Sequence, residues 1–336
     1  MTNNVSTEPY PKIVVITPVK NEAWILDRFL ATTSHFADHI IIADQDSTDG
    51  SQEICKRYPK VILIRNDSSE FNEAGRQTLL LNAARELVPE HKILLALDAD
   101  EIISANAVNS LAWQTMLRAK PGTVLCFERL DFYGNTSKCI RSDVQSAYGY
   151  IDDGAAHVPK VIHSIRVPEP SYARRLYLND IKILHYAYTR LNAQATKHRM
   201  YSVIEKTLGK SNVCARRLRY ISPDQYRQQH HLENSEPSWF QYWEELGIDM
   251  HTITAQKYYS YDFEVLRYFK QHGERRFHSE NIWDVDWEDC RLFAQSIGLQ
   301  DISDLPIKSP SKIQMMGIDY LTRLYRFART LSKGNG

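Results

Sequence analysis

The chain predicts an α/β protein built on a mostly parallel central sheet, with a helical region following it. Three observations carry that expectation. Strand-period and helix-period segments alternate through the first hundred residues, the strand-like runs are short and apolar, and polar motifs sit at the strand ends instead of interrupting the strands. Residues 12–17, KIVVIT, read as the first buried strand. Trp24, Ile25, Leu26, Phe29 and Leu30 then recur at helical spacing between Glu22 and Phe36. HIIIAD, residues 39–44, is the second strand. A break at 47–50 follows, with Ser47 or Thr48 as N-cap of a helix running through Ile54 and Tyr58. VILIRND (61–67) is the third strand, 72–88 the third helix and KILLALDAD (92–100) the fourth strand. Such alternation calls for right-handed crossovers that lay helices on the sheet faces.

Beyond residue 122 the pattern changes. TVLCFERLDFYG and KCIRS read as strands around a Gly134-Asn135 turn, and VIHSIRV and KILHYAY as two more separated by a proline-bearing loop. From Asn192 the chain is helical and aromatic-rich, with Trp239, Trp243, Trp283 and Trp287. A last helix over 313–333 puts Met316, Tyr320, Leu321, Leu324, Phe327, Ala328 and Leu331 on one face. Its aromatic stripe suits docking against its own domain, and its arginines suit an anionic membrane.

Composition excludes several classes. Lys plus Arg equals Asp plus Glu at 41 each, so no global field draws in nucleic acid, and no basic run interleaved with aromatics does so locally. The five cysteines are scattered, without a C-x-x-C pair, which fits a reducing cytosol. The opening MTNNVSTEPYP has neither a basic start nor an apolar core, and no run reaches the roughly 18 apolar residues of a membrane span. The expectation is a cytoplasmic protein, with peripheral membrane contact through the last helix as a further reading.

The chemistry is concentrated in ILLALDADEII, residues 93–103, where a buried strand runs into Asp98, Asp100 and Glu101. Residues two apart on a strand point to one side, so Asp98 and Asp100 converge if the strand persists, and a hard divalent cation would relieve their repulsion. An isolated D-x-D is equally a strand end with solvated acids. Two more strand ends alter that balance: TPVKNE (17–22) and ADQDSTDG (43–50) deliver polar groups to the same edge, where ligands of open α/β sheets collect.

TPVKNE, DQDSTDG and LDADE, in this order and spacing, resemble the sugar-nucleotide-binding half of family 2 glycosyltransferases. That resemblance implies the GT-A nucleotide-diphospho-sugar transferase fold, a Rossmann-like mostly parallel sheet with a helical C-terminal region. The implied organisation is a flexible 1–11, a GT-A domain over 12–210 (12–135 for the sugar nucleotide, 136–210 for the acceptor) and a helical region over 211–336. Pro18, Asn21 and Glu22 match the first motif, and Asp44 the first acid of the second. Gln45 stands where relatives carry a base-reading acid and Asp46 where they carry glycine; a Gln amide still offers donors and an acceptor. Arg76 matches a basic residue near the nucleotide. Asp98, Ala99 and Asp100 match the D-x-D, with its acids at the ribose and the metal. His185 is implied as a further metal ligand beside Asp100 and Asp98, the ion being Mn²⁺ or Mg²⁺, and Lys197 and Arg199 as groups leaning over the diphosphate.

Transfer with inversion needs a carboxylate base. YIDDGAAH supplies Asp152 and Asp153, of which Asp153 is favoured, with His163 in reserve. The implied function is metal-dependent transfer of a sugar from a nucleotide-diphosphate donor to a hydroxyl of a glycan or lipid-linked acceptor, in cell-envelope polysaccharide or lipooligosaccharide synthesis; an oligomer is compatible. Two alternatives remain open. A nucleotidyltransferase would use the same acids but needs a glycine-rich basic loop that the first strand lacks, and a non-catalytic sugar-nucleotide-binding protein would tolerate the changes at Gln45 and in the I-H-E segment, which here reads Ile162-His163-Ser164.

Overall fold

The computed structural model describes residues 10–67, 72–142, 144–159, 164–302 and 304–333. In chain order the first elements are β1 (Lys12–Val19), α1 (Ala23–Thr33), β2 (His39–Asp44), α2 (Ser51–Cys55), β3 (Val61–Arg65), α3 (Glu73–Leu87) and β4 (Lys92–Ala96). β5 (Glu101–Ile103), α4 (Leu111–Leu117), β6 (Thr123–Tyr133), β7 (Asn135–Arg141), β8 (Ser146–Ile151) and β9 (Arg174–His185) follow. The remainder holds α5 (Leu191–Thr207), α6 (Val213–Arg219), α7 (Pro223–Gln229), β10 (Glu233–Asn234), α8 (Gln241–Glu245), α9 (Ser260–His272), α10 (Trp287–Ser296) and α11 (Lys312–Lys333).

The strands form one sheet in the order β10-β7-β6-β8-β4-β1-β2-β3, with β9 beside β6 and β5 beside β9. β4, β1, β2 and β3 run parallel. β8 joins antiparallel and begins the mixed extension. Alternation sorts each parallel strand onto two cores: Ile13 and Val15 pack with Ile25, Leu26, Phe29 and Leu30 of α1, whereas Val14 and Ile16 pack with Leu80, Leu81 and Ala84 of α3. Pro18 is tolerated in a central strand because β4 pairing stops at Ile16, so its missing N–H removes no ladder bond to that neighbour.

The structure departs from the sequence reading at several points. α2 is capped by Gly50 in the left-handed region (φ 94°), and neither Ser47 nor Thr48 caps it; both are spent on the preceding loop. The described part of VIHSIRV, residues 164–167, is loop, while SAYGYI supplies a strand the reading passed over.

Two compact units divide the chain: residues 1–189 with 232–253, and 190–231 with 254–336. The return of 232–253 to the sheet unit differs from the expected boundary near 210. Its cause is packing: β10 pairs with β7, and Trp239 and Trp243 are buried in the sheet's own core, Trp243 Nε1 donating to the Ile103 carbonyl at 3.0 Å. The second unit is helical, and a buried Arg216–Glu280 pair (2.7 Å) lies within it. The apolar stripe of α11, expected to dock, is instead exposed, with Ile313 at 82% and Phe327 at 66%. Among the described residues no helix is long and apolar enough to cross a membrane.

Candidate active site

Parallel pairing brings the carboxyl ends of β1, β2 and β4 to one edge, where their loops are stitched together. The Asn21 amide donates to Ser47 Oγ at 2.9 Å, Asn21 Oδ1 accepts from the Thr48 amide at 2.8 Å, the Glu22 amide donates to Ser51 Oγ at 3.0 Å, and the Ala23 amide donates to Asp49 at 2.9 Å. The first amides of α1, which lack helical partners, are thereby satisfied by the second motif. Asn21 (φ 57°) and Asp46 (φ 49°) both take the left-handed conformation that their residue types tolerate best after glycine. That geometry is a physical reason for glycine to occupy the Asp46 position in other chains.

Asp44 closes β2 and is buried at 4% exposure. Its Oδ2 accepts from Gln52 Nε2 (2.6 Å) and the Ser47 amide (3.1 Å), while its Oδ1 is buried without a hydrogen-bond partner. Burial of an unpaired carboxylate oxygen is costly, so this atom is an acceptor in want of a donor. Asp44 is one of the residues lining a cavity of about 350 Å³, together with Asp46, Gln52, Leu63, Ile64 and Arg65. Gln45, expected to read a base, is buried and is absent from that lining; Gln52, which the sequence reading missed, is present. Arg76 lies half-buried in the first turns of α3, next in the chain after β3.

Beyond β4 the acids divide between two counter-charges, Arg166 for Asp98 and Glu101 and His185 for Asp100. Asp98 Oδ2 accepts from Arg166 Nη2 at 3.0 Å. Glu101, fully buried, takes both terminal nitrogens of Arg166, accepts from the Asp98 amide at 2.9 Å and from the Tyr148 hydroxyl at 3.3 Å. The Arg166 guanidinium also lies over the Tyr148 ring at 4.9 Å. Burial opposes its charge, but Asp98 and Glu101 outweigh burial and hold it protonated. Arg166 is fixed from α3: Gln77 Nε2 donates to its carbonyl at 2.9 Å, and Glu73 accepts from the Ser164 amide at 2.9 Å. Sequence reading placed this arginine in a strand and so missed it.

Asp100 meets a different partner. β5 pairs antiparallel with β9 so that Glu101 opposes His185, and β6 pairs parallel with β9 so that Asp131 opposes His185. His185 Nε2 therefore lies 3.7 Å from Asp100 Oδ2, and its Nδ1 lies 2.6 Å from Asp131 Oδ1. Asp131 is itself held by Arg129 at 2.9 Å and is only 2% exposed. Burial would lower the His185 pKa, but Asp100 and Asp131 together raise it. The pairing also fixes the ring: with Nδ1 committed to Asp131, Nε2 is the nitrogen turned toward Asp100. Asp131 is a second residue that sequence reading missed. Its signal was an acid two positions from Arg129 near the end of a largely apolar strand that also carries Glu128.

Among the described residues no group of three His, Cys, Asp or Glu side chains is gathered for a metal. The Asp100–His185 pair nevertheless fits a hard or borderline divalent ion, since one carboxylate oxygen and one oriented imidazole nitrogen leave positions for phosphate oxygens and water. Asp98 stands apart, engaged by Arg166.

The expected bases lie elsewhere. β8 runs antiparallel to β4, with Ile151 opposite Ile93, so Asp152 and Asp153 emerge at the amino-terminal end of β4, about 13 Å of strand away from the D-x-D. Asp152 is neutralised there by Arg85 (2.8 Å) and Lys92 (3.6 Å). Asp153 accepts from the hydroxyls of Tyr150 (2.5 Å) and Tyr172 (2.9 Å) and the Ala155 amide (3.0 Å). Burial would raise its pKa, yet these donors lower it, opposite to what a base needs. His163 lies outside the described residues. Lys197 and Arg199 lie on α5 in the second unit, where Arg199 is committed to Asp284 (2.9 Å) and Asp262 (3.1 Å). All five cysteines are free thiols, and burial pushes Cys55 up to about 12 and Cys139 to about 11, so neither is a nucleophile.

A parallel sheet with loop motifs and acids at one edge, followed by a mixed extension, is the GT-A architecture. Residues 14–163, somewhat under half of the chain, match the family model for glycosyl transferase family 2. No curated protein matches the chain. Among solved structures, 4-diphosphocytidyl-2C-methyl-D-erythritol synthase is 18% identical over 35% of this chain and 60% of its own, with a TM-score of 0.28. Glucosyl-3-phosphoglycerate synthase from Mycobacterium tuberculosis, solved with Mn²⁺, UDP and glucosyl-3-phosphoglycerate, is 16% identical over 37% of this chain and 45% of its own, at 0.26. Mannosyl-3-phosphoglycerate synthase from Rubrobacter xylanophilus is 14% identical over 37% and 41%, at 0.28. The chain thus spans less than two thirds of each, and likenesses at these scores add no weight to a function.

Proposed function

We propose that this protein transfers a sugar from a nucleotide-diphosphate donor to a hydroxyl acceptor in a divalent-metal-dependent reaction. The observation that carries the reading is the strand edge itself: Asp44 on the wall of a nucleoside-sized cavity, and two strands away an Asp100–His185 pair suited to a diphosphate-bound ion. Asp44 and Gln52 would supply the polar groups that meet the base, while Arg65 and Leu63 line the pocket. Asp100 and His185 would hold Mn²⁺ or Mg²⁺, which when bound neutralises the departing diphosphate. Arg166 cancels the charge of Glu101 and part of that of Asp98, so the acid facing His185 is the one available to a cation.

Inversion at the anomeric carbon follows the family resemblance, as does a glycan or lipid-linked acceptor in the cell envelope. A cytoplasmic site of action is consistent with the free thiols. Calorimetric titration with a panel of nucleotide sugars, with and without Mn²⁺, tests the proposal: one donor is expected to bind with metal-enhanced affinity, and failure of every donor in both conditions would refute it.

Two variants separate the parts. Asp131→Asn is expected to weaken Mn²⁺ affinity about 10- to 100-fold, the usual cost of losing the partner that orients a ligating histidine. Manganese EPR titration reads this directly, and unchanged affinity would show that His185 does not ligate. Asp153→Asn is expected to leave turnover intact and to lower stability by about 1 kcal/mol, through weakened bonds from Tyr150 and Tyr172. A fall in turnover of Asp153→Asn at unchanged donor affinity would return the base to this residue.

A further inference from the structure

Helix α11 presents its apolar side to solvent. Its half-buried residues, Met315, Ile318, Thr322 and Tyr325, fall on one side, and the helix meets α6, where Asp319 accepts from Arg217. The other side carries Ile313, Met316, Tyr320, Leu321, Leu324 and Phe327, each between 48% and 82% exposed. They run along about 21 Å of helix. Arg323 and Arg326 are exposed along one border of this stripe, and Asp319, the one acid of the helix, is already engaged by Arg217.

We propose that this face lies on an anionic lipid surface, with the helix axis in the plane of the membrane. The apolar side chains would enter the headgroup and acyl boundary, and Arg323 and Arg326 would meet lipid phosphates. Two features favour lipid over a second copy of the chain. The stripe spans a broad arc, including neighbours such as Tyr320 and Leu321, and is wider than the narrow seam through which two helices pair. The border is also basic on balance, since Asp319 on the same ridge is taken up by Arg217: a symmetric pairing would bring arginines together with no free acid on the helix to receive them, whereas an anionic surface neutralises them. The inference rests on the helix and is independent of the transferase reading.

The test is co-sedimentation of the full chain with phosphatidylcholine vesicles that contain or lack phosphatidylglycerol. Binding is expected to the anionic vesicles and to be at least about tenfold weaker to neutral ones. Leu324→Asp/Phe327→Asp and, separately, Arg323→Glu/Arg326→Glu are each expected to lose at least about tenfold in binding to anionic vesicles. All four side chains are exposed, so neither pair disturbs a core, and unchanged thermal unfolding confirms it. Failure of the native chain to sediment with anionic vesicles, or binding by either variant equal to that of the native chain, overturns the proposal. So does a dimer in sedimentation velocity that dissociates in Leu324→Asp/Phe327→Asp, which would assign the face to a second copy.

Discussion

Asp100→Ala is expected to abolish metal-dependent donor binding and to slow turnover by about a thousandfold, if any activity survives. Metal stabilisation of a departing diphosphate supplies several kcal/mol, and about 4 kcal/mol corresponds to a factor of a thousand. A methyl group cannot replace an oxygen ligand, and the described residues offer no neighbouring substitute. Glu101 is fully buried in its pairing with Arg166, Asp98 accepts from the same guanidinium, and Asp131 faces the far nitrogen of His185. Loss of Asp100 would leave His185 alone opposite the diphosphate. Asp98→Ala provides the contrast. It removes a partner of Arg166 that is itself 41% exposed, so it should alter donor affinity more than metal affinity. Calorimetry with and without Mn²⁺ distinguishes the two. Equal Mn²⁺ enhancement of donor binding in Asp100→Ala and the native protein would remove Asp100 from the metal role.

What the sequence made legible was local. KIVVIT, HIIIAD, VILIRND and KILLA announce buried parallel strands because both faces of each are apolar, and the polar runs behind them mark one edge because parallel strands end on one side. Three features escaped that logic. Arg166 comes from a loop some 65 residues beyond the acids it serves, inside a run whose alternation mimics a strand. Asp131 acquires its partner only through the β6–β9 register. Asp152 and Asp153, expected as candidate bases, emerge at the opposite edge because β8 is antiparallel to β4. Strand direction and cross-strand register are tertiary quantities, set by which apolar faces pack, and single-sequence periodicity does not encode them. The stripe of α11 illustrates the same boundary. Its period was plain, but a period names a face without naming what covers it.

The second large effect concerns the crowding of carboxylates at the end of β4. Glu101 looks like a solvated residue in sequence, yet it is fully buried and receives both terminal nitrogens of Arg166, the Asp98 amide and the Tyr148 hydroxyl. Glu101→Ala is therefore expected to cost about 3–5 kcal/mol, the penalty for leaving a buried charge without its partner. Urea titration measures it as a lower midpoint. The cost should arise mainly from Arg166, whose guanidinium would retain Asp98 as its carboxylate partner while still packed on Tyr148. Removing the under-compensated guanidinium as well, in Glu101→Ala/Arg166→Leu, should then recover part of the loss, because an apolar pair avoids the desolvation of both ions. Donor binding should not recover with it: without Arg166 the charges of Asp98 and Asp100 are no longer distinguished, and the turn closed by Glu101 on the Asp98 amide is gone. Stability and function would thus separate in the double variant. A single substitution costing under about 1 kcal/mol, or additive effects of the two, would show that Arg166 and Glu101 are not the coupled pair that makes this acidic edge tolerable.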